Sequence, residues 1–322
     1  MRRLLSLVLP LALCSGCFLV ASTDGFVEDE GCDLELDVRA FAPHLGQTFQ
    51  VRLVQDPPES IGESRPRLLA LAIFDPLQHP NLDLQLPNAV PALTDPTQPR
   101  PYIDFYADFN GDGVYSSPPA DHTWRVEDPC EPGRDPAFLH NLEFFDLPLP
   151  IGGGSSLFVD FCPNLTTDTR FDRLEPFTGM EPVEVRVTGT FFPTGEGMTE
   201  VVRPVGYYRL EPMGSFPGNI EIPAVFDSGF RYKIEVIVDR DGDFAYGAAS
   251  DQGWVYEFNP ETAPRCPDLT DMATCGLSSD TVNRAPACLD ERNNIRVRLS
   301  RAHIANFGPP TEARWIEVPE GT

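Results

Sequence analysis

The sequence predicts an all-β chain organised as two tandem antiparallel β-sandwich domains. Three observations support this: short runs in which apolar and polar residues alternate, turn-forming residues between those runs, and one segment that occurs twice. The 322 residues include 25 glycines and 34 prolines, and no long stretch combines helical periodicity with helix caps.

The strand prediction comes from period-two alternation. Leu34, Leu36 and Val38 alternate with polar residues, and 103–108 and 233–239 follow a similar pattern, so one face of each strand is expected to be buried. Clusters of Gly, Pro, Asn and Asp separate these runs, as is typical of antiparallel strands joined by turns. Several short strands with one apolar face favour two-layer packing of the immunoglobulin-like or transthyretin-like kind.

An internal repeat predicts two such domains. The segment YIDFYADFNGDGVYSSPPADHTWRVE at 102–127 returns as YKIEVIVDRDGDFAYGAASDQGWVYE at 232–257. Asp108 matches Asp239 at a spacing of 131, and PNLDLQLP, which precedes the first copy, resembles PGNIEIP before the second. One unit of roughly 110–130 residues therefore occurs twice. Both tryptophans of the repeat, Trp124 and Trp254, are expected in the core.

The domain boundaries follow from the repeat and from composition. The Gly-rich stretch PLPIGGGSS marks the end of the first unit. The predicted divisions are a signal peptide at 1–16, a tether at 17–31, a first sandwich at 32–150, a linker or added edge strand at 151–180, and a second sandwich at 181–318.

The first residues predict export. A basic start followed by a short apolar run at 4–13 is typical of a secretory signal. The apolar run is too short to span a bilayer. Ser15, Gly16 and Cys17 resemble the end of a bacterial lipobox, which implies a lipid on Cys17; Cys14 departs from the usual leucine. We expect either a protein of the bacterial envelope, lipid-anchored at the outer membrane, or a secreted protein. It contacts membrane only through its anchor.

The charge excludes one class of partner. Loss of Arg2 and Arg3 with the signal takes the formal net charge from −25 to −27, and nucleic acid repels such a chain. Converging carboxylates attract divalent cations instead. The expected partner is an envelope or extracellular ligand that the sequence does not identify.

Of the eight cysteines, we expect Cys14 to be lost with the signal peptide and Cys17 to carry the lipid. The other six are available for disulfides in an oxidising compartment, with 15 possible pairings. At least one pair is expected to close within the turn-rich segment 266–288. The six are Cys32, Cys130, Cys162, Cys266, Cys275 and Cys288.

The repeated loop predicts calcium sites. Asp-x-Asn-x-Asp-Gly places oxygens at alternating positions of a tight turn, and it is similar to the short calcium loops of dockerins and some bacterial surface β-domains. Phe244 replaces the glycine of the first copy, Gly113, and this predicts a strained or open second turn and a weaker second site. The predicted ligands are Asp108, Asn110, Asp112, the Val114 carbonyl and Asp121 in the first copy, and Asp239, Asp241, Asp243, the Ala245 carbonyl and Asp251 in the second.

Histidine placement leaves a second metal hypothesis open. Four of the five histidines lie in the first unit, and imidazole is a good ligand for copper or zinc. No two sit at a diagnostic short spacing, so scattered histidines are the alternative. The four are His44, His79, His122 and His140.

Catalytic signals are sparse. The chain has no GxSxG elbow and no cysteine free for a Cys-His pair, so the sequence predicts a non-enzymatic binding or structural protein. An extracellular hydrolase is the remaining alternative. The lipobox-like start, the acidity and the repeated loop look like those of uncharacterised bacterial lipoproteins and secreted β-sandwich proteins, a resemblance that implies no activity.

Overall fold

The computed structural model describes a chain made of strands. It covers residues 31–57, 66–91, 98–147, 154–161, 181–191, 200–212, 219–226, 230–266, 287–299 and 310–319. These residues form 16 strands and one 3-10 turn at Ala42–His44, so the all-β prediction is confirmed. Over the same residues, no helix has the length and apolarity to cross a membrane. The predicted signal peptide and tether lie outside the described residues.

An eight-stranded sheet forms the centre of the molecule, in the order β13-β12-β9-β10-β3-β2-β5-β6. Its strands are β2 (Phe49–Gln55), β3 (Arg67–Asp75), β5 (Tyr102–Ala107), β6 (His122–Glu127), β9 (Val183–Phe191), β10 (Val201–Leu210), β12 (Arg231–Val238) and β13 (Gln252–Phe258).

Two four-stranded sheets complete the fold. The first, in the order β16-β4-β1-β7, contains β1 (Cys32–Arg39), β4 (Leu82–Val90), β7 (Ala137–Leu139) and β16 (Ile316–Glu317). The second, in the order β11-β8-β15-β14, contains β8 (Ser155–Phe161), β11 (Asn219–Phe226), β14 (Ala287–Leu289) and β15 (Ile295–Leu299).

All three sheets are mixed, so the prediction of purely antiparallel sheets is wrong. β3 and β10 pair in parallel at the middle of the central sheet, with Leu71 opposite Gly206. β1 and β7 are parallel in one small sheet, and β8 and β15 are parallel in the other. The β3–β10 pair joins strands more than a hundred residues apart, so the two halves of the chain share one sheet.

The two small sheets cover opposite faces of the central sheet. Ala72 and Phe74 of β3 belong to one apolar cluster with β1 and β4, whereas Leu71 and Ile73 belong to the other cluster, with β8 and β11. Neighbouring residues of a strand point to opposite faces, so the two cores lie on the two sides of the sheet.

Both repeat tryptophans are buried, as predicted. Trp124 lies in the first core and is 0% exposed, and Trp254 lies in the second and is 2% exposed. Residues 155–161, part of the segment predicted at 151–180 as a linker or an added edge strand, are in strand conformation. Those residues form β8, an inner strand between β11 and β15, because Leu157 and Val159 present an alternating apolar face to the core. The flanking Gly-rich and Pro-rich segments conceal that short alternation in the sequence.

Among the described residues, two disulfides close separate parts of the fold. Cys32 pairs with Cys130 across 98 residues, and Cys266 pairs with Cys288 across 22 residues. The second pair confirms the prediction of a crosslink within 266–288. Cys162 and Cys275 lie outside the described residues.

Candidate metal centres

The two repeated loops occupy equivalent places in the central sheet. The first connects β5 to β6, and the second connects β12 to β13. Each begins with an aspartate directly after the strand, Asp108 at 4% exposure and Asp239 at 0%. After the strand ends, backbone N–H groups of the loop donate to aspartate side-chain oxygens instead of to a neighbouring strand.

In the first loop, two aspartates receive most of the backbone N–H groups. The Asp108 carboxylate accepts from the N–H of Gly111 and from that of Gly113, both at 2.8 Å. The Asp121 carboxylate accepts from Phe109 at 3.1 Å and from Ser116 at 2.6 Å.

The second loop has the same pattern of hydrogen bonds. Asp239 accepts from the N–H of Gly242 at 2.8 Å and from that of Phe244 at 3.2 Å. Asp251 accepts from Arg240 at 2.9 Å and from Gly247 at 2.7 Å.

The predicted carbonyl ligands, Val114 and Ala245, lie two residues after Asp112 and Asp243. Their N–H groups donate to Asp112 at 2.8 Å and to Asp243 at 2.9 Å.

Phe244 closes the second turn in a strained conformation, which is one of the two outcomes expected there, strained or open. Its φ of 61° is left-handed, like the 75° of Gly113. Such a conformation costs a non-glycine residue roughly 1–2 kcal/mol. Packing offsets this strain, because the buried Phe244 ring lies 3.7 Å from the Arg209 guanidinium and 5.6 Å, centroid to centroid, from His79.

The second loop gathers its acids most closely. Ligand oxygens of Asp239, Asp241, Asp243 and Asp251 all lie within 4.8 Å of one another, and within the described ranges this is the one group of three or more acidic, cysteine or histidine ligands to do so. Burial raises the pKa of Asp251, while a hydrogen bond from Ser250 lowers the pKa of Asp241.

Two arginines reduce the charge of this cluster. The Arg209 guanidinium donates to Asp239 Oδ2 at 2.8 Å, and that of Arg314 donates to Asp243 Oδ2 at 2.8 Å. Asp239 is fully buried, whereas the Asp243 and Arg314 side chains are about half exposed. The cluster is therefore buried at one end and open to solvent at the other.

Behind the second loop lies a buried network of charges. Arg209 also donates to Glu184 at 3.0 Å and pairs with Glu211. Arg186 donates to Glu184 at 2.7 Å, and the Tyr207 hydroxyl donates to the same carboxylate at 2.9 Å. These contacts join β9, β10 and the second loop.

A second cluster consists of histidines beside the apolar core that contains Trp124. His44 Nε2 and His140 Nε2 are 3.0 Å apart, and the His122 ring lies 5.0 Å from the His44 ring, centroid to centroid. His79 is in contact with Phe244 instead. The structure thus brings together three of the four predicted histidines, from positions 78 and 18 residues apart in sequence.

Burial disfavours the charged form of each histidine in this cluster. It lowers the pKa of His44 to about 4 and lowers the pKa values of His122 and His140. His122 stacks between Phe109 and Phe144, each 4.4 Å away, and its buried Nδ1 has no hydrogen-bond partner.

Exposed apolar side chains surround the histidines. Leu45 follows His44, Phe109 stacks on His122, and Leu139 precedes His140. Large hydrophobic residues that are exposed near the cluster are Leu45, Phe109, Leu139, Leu142 and Phe145, at 43% to 75%.

Several residues of these centres have no signal in the sequence. Gln47 binds His44 Nδ1 at 2.9 Å, and Arg209 and Arg314 pair with loop aspartates from distant segments. Only the position of Gln47, three residues after a histidine, offered a hint. Comparison of the chain with protein-family models, with curated proteins and with solved structures finds no match.

Proposed function

We propose that this chain is an exported, non-enzymatic binding or structural protein of the bacterial envelope, with two β-sandwich units that calcium stabilises at their repeated loops. The observation that carries the proposal is the second loop, where four aspartates place oxygens within 4.8 Å of one another. Carboxylate and carbonyl oxygens on a tight turn are the ligands that Ca²⁺ prefers.

Duplication of one unit is supported by strand order. In the first half, β4-β1-β7 packs with β6-β5-β2-β3; in the second half, β11-β8-β15 packs with β13-β12-β9-β10. Strands at equivalent places follow the same sequence order. The loops add matching φ angles of 73° at Gly111 and Gly242.

Calcium explains why so many acids gather at a strand end. Carboxylates within a few ångströms repel one another, and the two arginines neutralise only two of the four charges in the second loop. A divalent cation removes the remaining repulsion. Because the carboxylate oxygens of the second loop lie closer together, we propose that it binds calcium more tightly than the first loop. This is the reverse of the order of affinity expected from Phe244.

Export is supported by the lipobox-like Cys17 and by the two disulfides, which persist in oxidising compartments. The large negative charge suits a protein that binds cations and not nucleic acid.

Thermal unfolding tests the calcium sites. With calcium at 100 times its dissociation constant, linkage adds about 2.7 kcal/mol of stability per site, so the melting temperature rises by roughly 5 °C over that in EDTA. Asp243→Asn is expected to reduce this response more than the equivalent Asp112→Asn.

The matched control is Glu131→Gln, which removes one exposed carboxylate outside both loops and leaves the response intact. Identical melting curves in EDTA and in calcium would contradict the proposal and make both loops ordinary hairpins.

A further inference from the structure

We propose that His44, His122 and His140 form a binding site for a late first-row transition metal, copper(II) in particular, separate from the calcium loops. These residues lie in the first sandwich only. Gln252 of the second loop takes the place that His122 holds in the first, so the site is not part of the repeated calcium motif.

The pair of Nε2 atoms sets the geometry. They lie 3.0 Å apart, and a metal at about 2.05 Å from both would subtend an N–metal–N angle of about 94°. A tetrahedral zinc ion would need the nitrogens roughly 3.3–3.4 Å apart. An angle near 90° is that of neighbouring ligands in the tetragonal sites that copper(II) prefers.

Gln47 orients the first ligand. Its Oε1 can only accept, so His44 Nδ1 carries the hydrogen and donates it at 2.9 Å, which leaves the lone pair on Nε2. Metal-binding histidines almost always donate their other N–H to an oxygen in this way. Without a metal, His140 Nε2–H donates to that lone pair; with one, His140 shifts its proton to Nδ1.

His122 is the proposed third ligand. Its ring centroid lies 5.0 Å from that of His44, and its nitrogen joins the pair only after the ring moves, because the ligand atoms of the three histidines are not all within 4.8 Å of one another. Its ring lies in a slot between Phe109 and Phe144, with interplanar angles of 11° and 20°. A ring held between two parallel faces can slide in its own plane toward His44. Its buried Nδ1 has no hydrogen-bond partner, an arrangement that costs free energy and that a metal, or movement toward the pair, relieves.

The scaffold around the site is firm. His44 ends the 3-10 turn, and its N–H donates to the Phe41 carbonyl at 2.9 Å. The His140 N–H donates to the Arg39 carbonyl at 3.0 Å, and the Trp124 indole donates to the Asn141 carbonyl at 3.1 Å. The His44–His140 pair is therefore held in place by backbone hydrogen bonds beside a buried tryptophan.

The test is titration of the EDTA-stripped, mature protein with copper(II) chloride, and separately with zinc sulfate, in about 10 mM calcium chloride so that the acidic loops are occupied. We expect one copper per chain with a dissociation constant below about 1 µM, and nitrogen hyperfine splitting in the electron paramagnetic resonance spectrum. His140→Ala should lower copper affinity at least about 100-fold, and Gln47→Leu roughly 10-fold.

His79→Ala is the matched control, since it removes a first-half histidine outside the cluster and should leave copper affinity unchanged. His140 is half-buried, so its variant is checked for an unchanged circular dichroism spectrum, and His140→Gln replaces it if the spectrum differs. The proposal is overturned if copper binds no more tightly than about 100 µM, if its spectrum lacks nitrogen splitting, or if His79→Ala weakens binding as much as His140→Ala. Calcium-dependent melting is measured apart from this, so either proposal can fail alone.

Discussion

Replacing Arg209 tests the buried charge network that ties the second loop to the central sheet. The network contains the carboxylates of Glu184, Glu211 and Asp239 and the guanidinium groups of Arg186 and Arg209. Two positive and three negative charges give a net −1; Arg209→Met leaves one against three, a net −2. Methionine keeps much of the apolar stem that packs near the loop, so the change is mainly one of charge.

The magnitude follows from burial. The Arg209 side chain is 3% exposed, that of Glu184 is 1% and that of Asp239 is 0%. Removing one partner of such a buried group leaves charges without compensation and destabilises a protein by about 3–5 kcal/mol. We therefore expect the free energy of unfolding to fall by that amount in EDTA.

Urea unfolding followed by tryptophan fluorescence measures this loss, because Trp124 and Trp254 report on the two cores. The control is Arg100→Met, which breaks the ion pair between Arg100 and Asp128. The Arg100 side chain is 66% exposed, so this substitution should lower the free energy of unfolding by no more than about 1 kcal/mol. Calcium at the second loop replaces part of the lost positive charge, so the calcium response should be larger in Arg209→Met than in the wild type. Equal losses for the two arginine variants would refute the network's role.

Two further outcomes follow from the N-terminal half. Cys32→Ser removes a crosslink between residues 98 positions apart, and a urea titration should show that the free energy of unfolding falls by about 2–5 kcal/mol. A loss below about 1 kcal/mol would show that the Cys32–Cys130 bond does not constrain the unfolded chain. Mass spectrometry of the mature protein should find a thioether-linked lipid on Cys17, and an unmodified N-terminus beyond that residue would contradict lipid anchoring.

The sequence predicted the parts of the fold that local patterns specify. Alternation identified β1, β5 and β12, and the repeat located both loops and both buried tryptophans. Period-two burial and turn chemistry act over a few residues, so they are visible in a single sequence.

Contacts between distant segments were not visible in the same way. The parallel pairing of β3 with β10 depends on how two units dock, and no local pattern encodes its register. Likewise, His44 and His140 are 96 residues apart in sequence. They meet because the 3-10 turn that follows β1 and the end of β7 lie at the same end of the sheet that contains both strands. The only sign of this cluster in the sequence was that four of the five histidines lie in the first unit, and that could not show that their side chains meet in space.

Phe244 illustrates a local rule that tertiary packing overrides. A phenylalanine in place of glycine predicted a strained or open turn, yet the turn closes with a left-handed φ. Contact with the buried Arg209 guanidinium, on a strand far away in sequence, supplies the compensation. Such compensation is a property of the assembled core and not of the loop.

Isothermal titration calorimetry with calcium tests the central claim most directly, because it counts the sites on the folded protein. The account predicts two sites per chain, with dissociation constants of about 10⁻⁴–10⁻³ M for modules outside the cell, and predicts that Asp243→Asn removes the tighter one. No measurable heat of binding at millimolar calcium, or binding that Asp243→Asn and Asp112→Asn both leave unchanged, would contradict it.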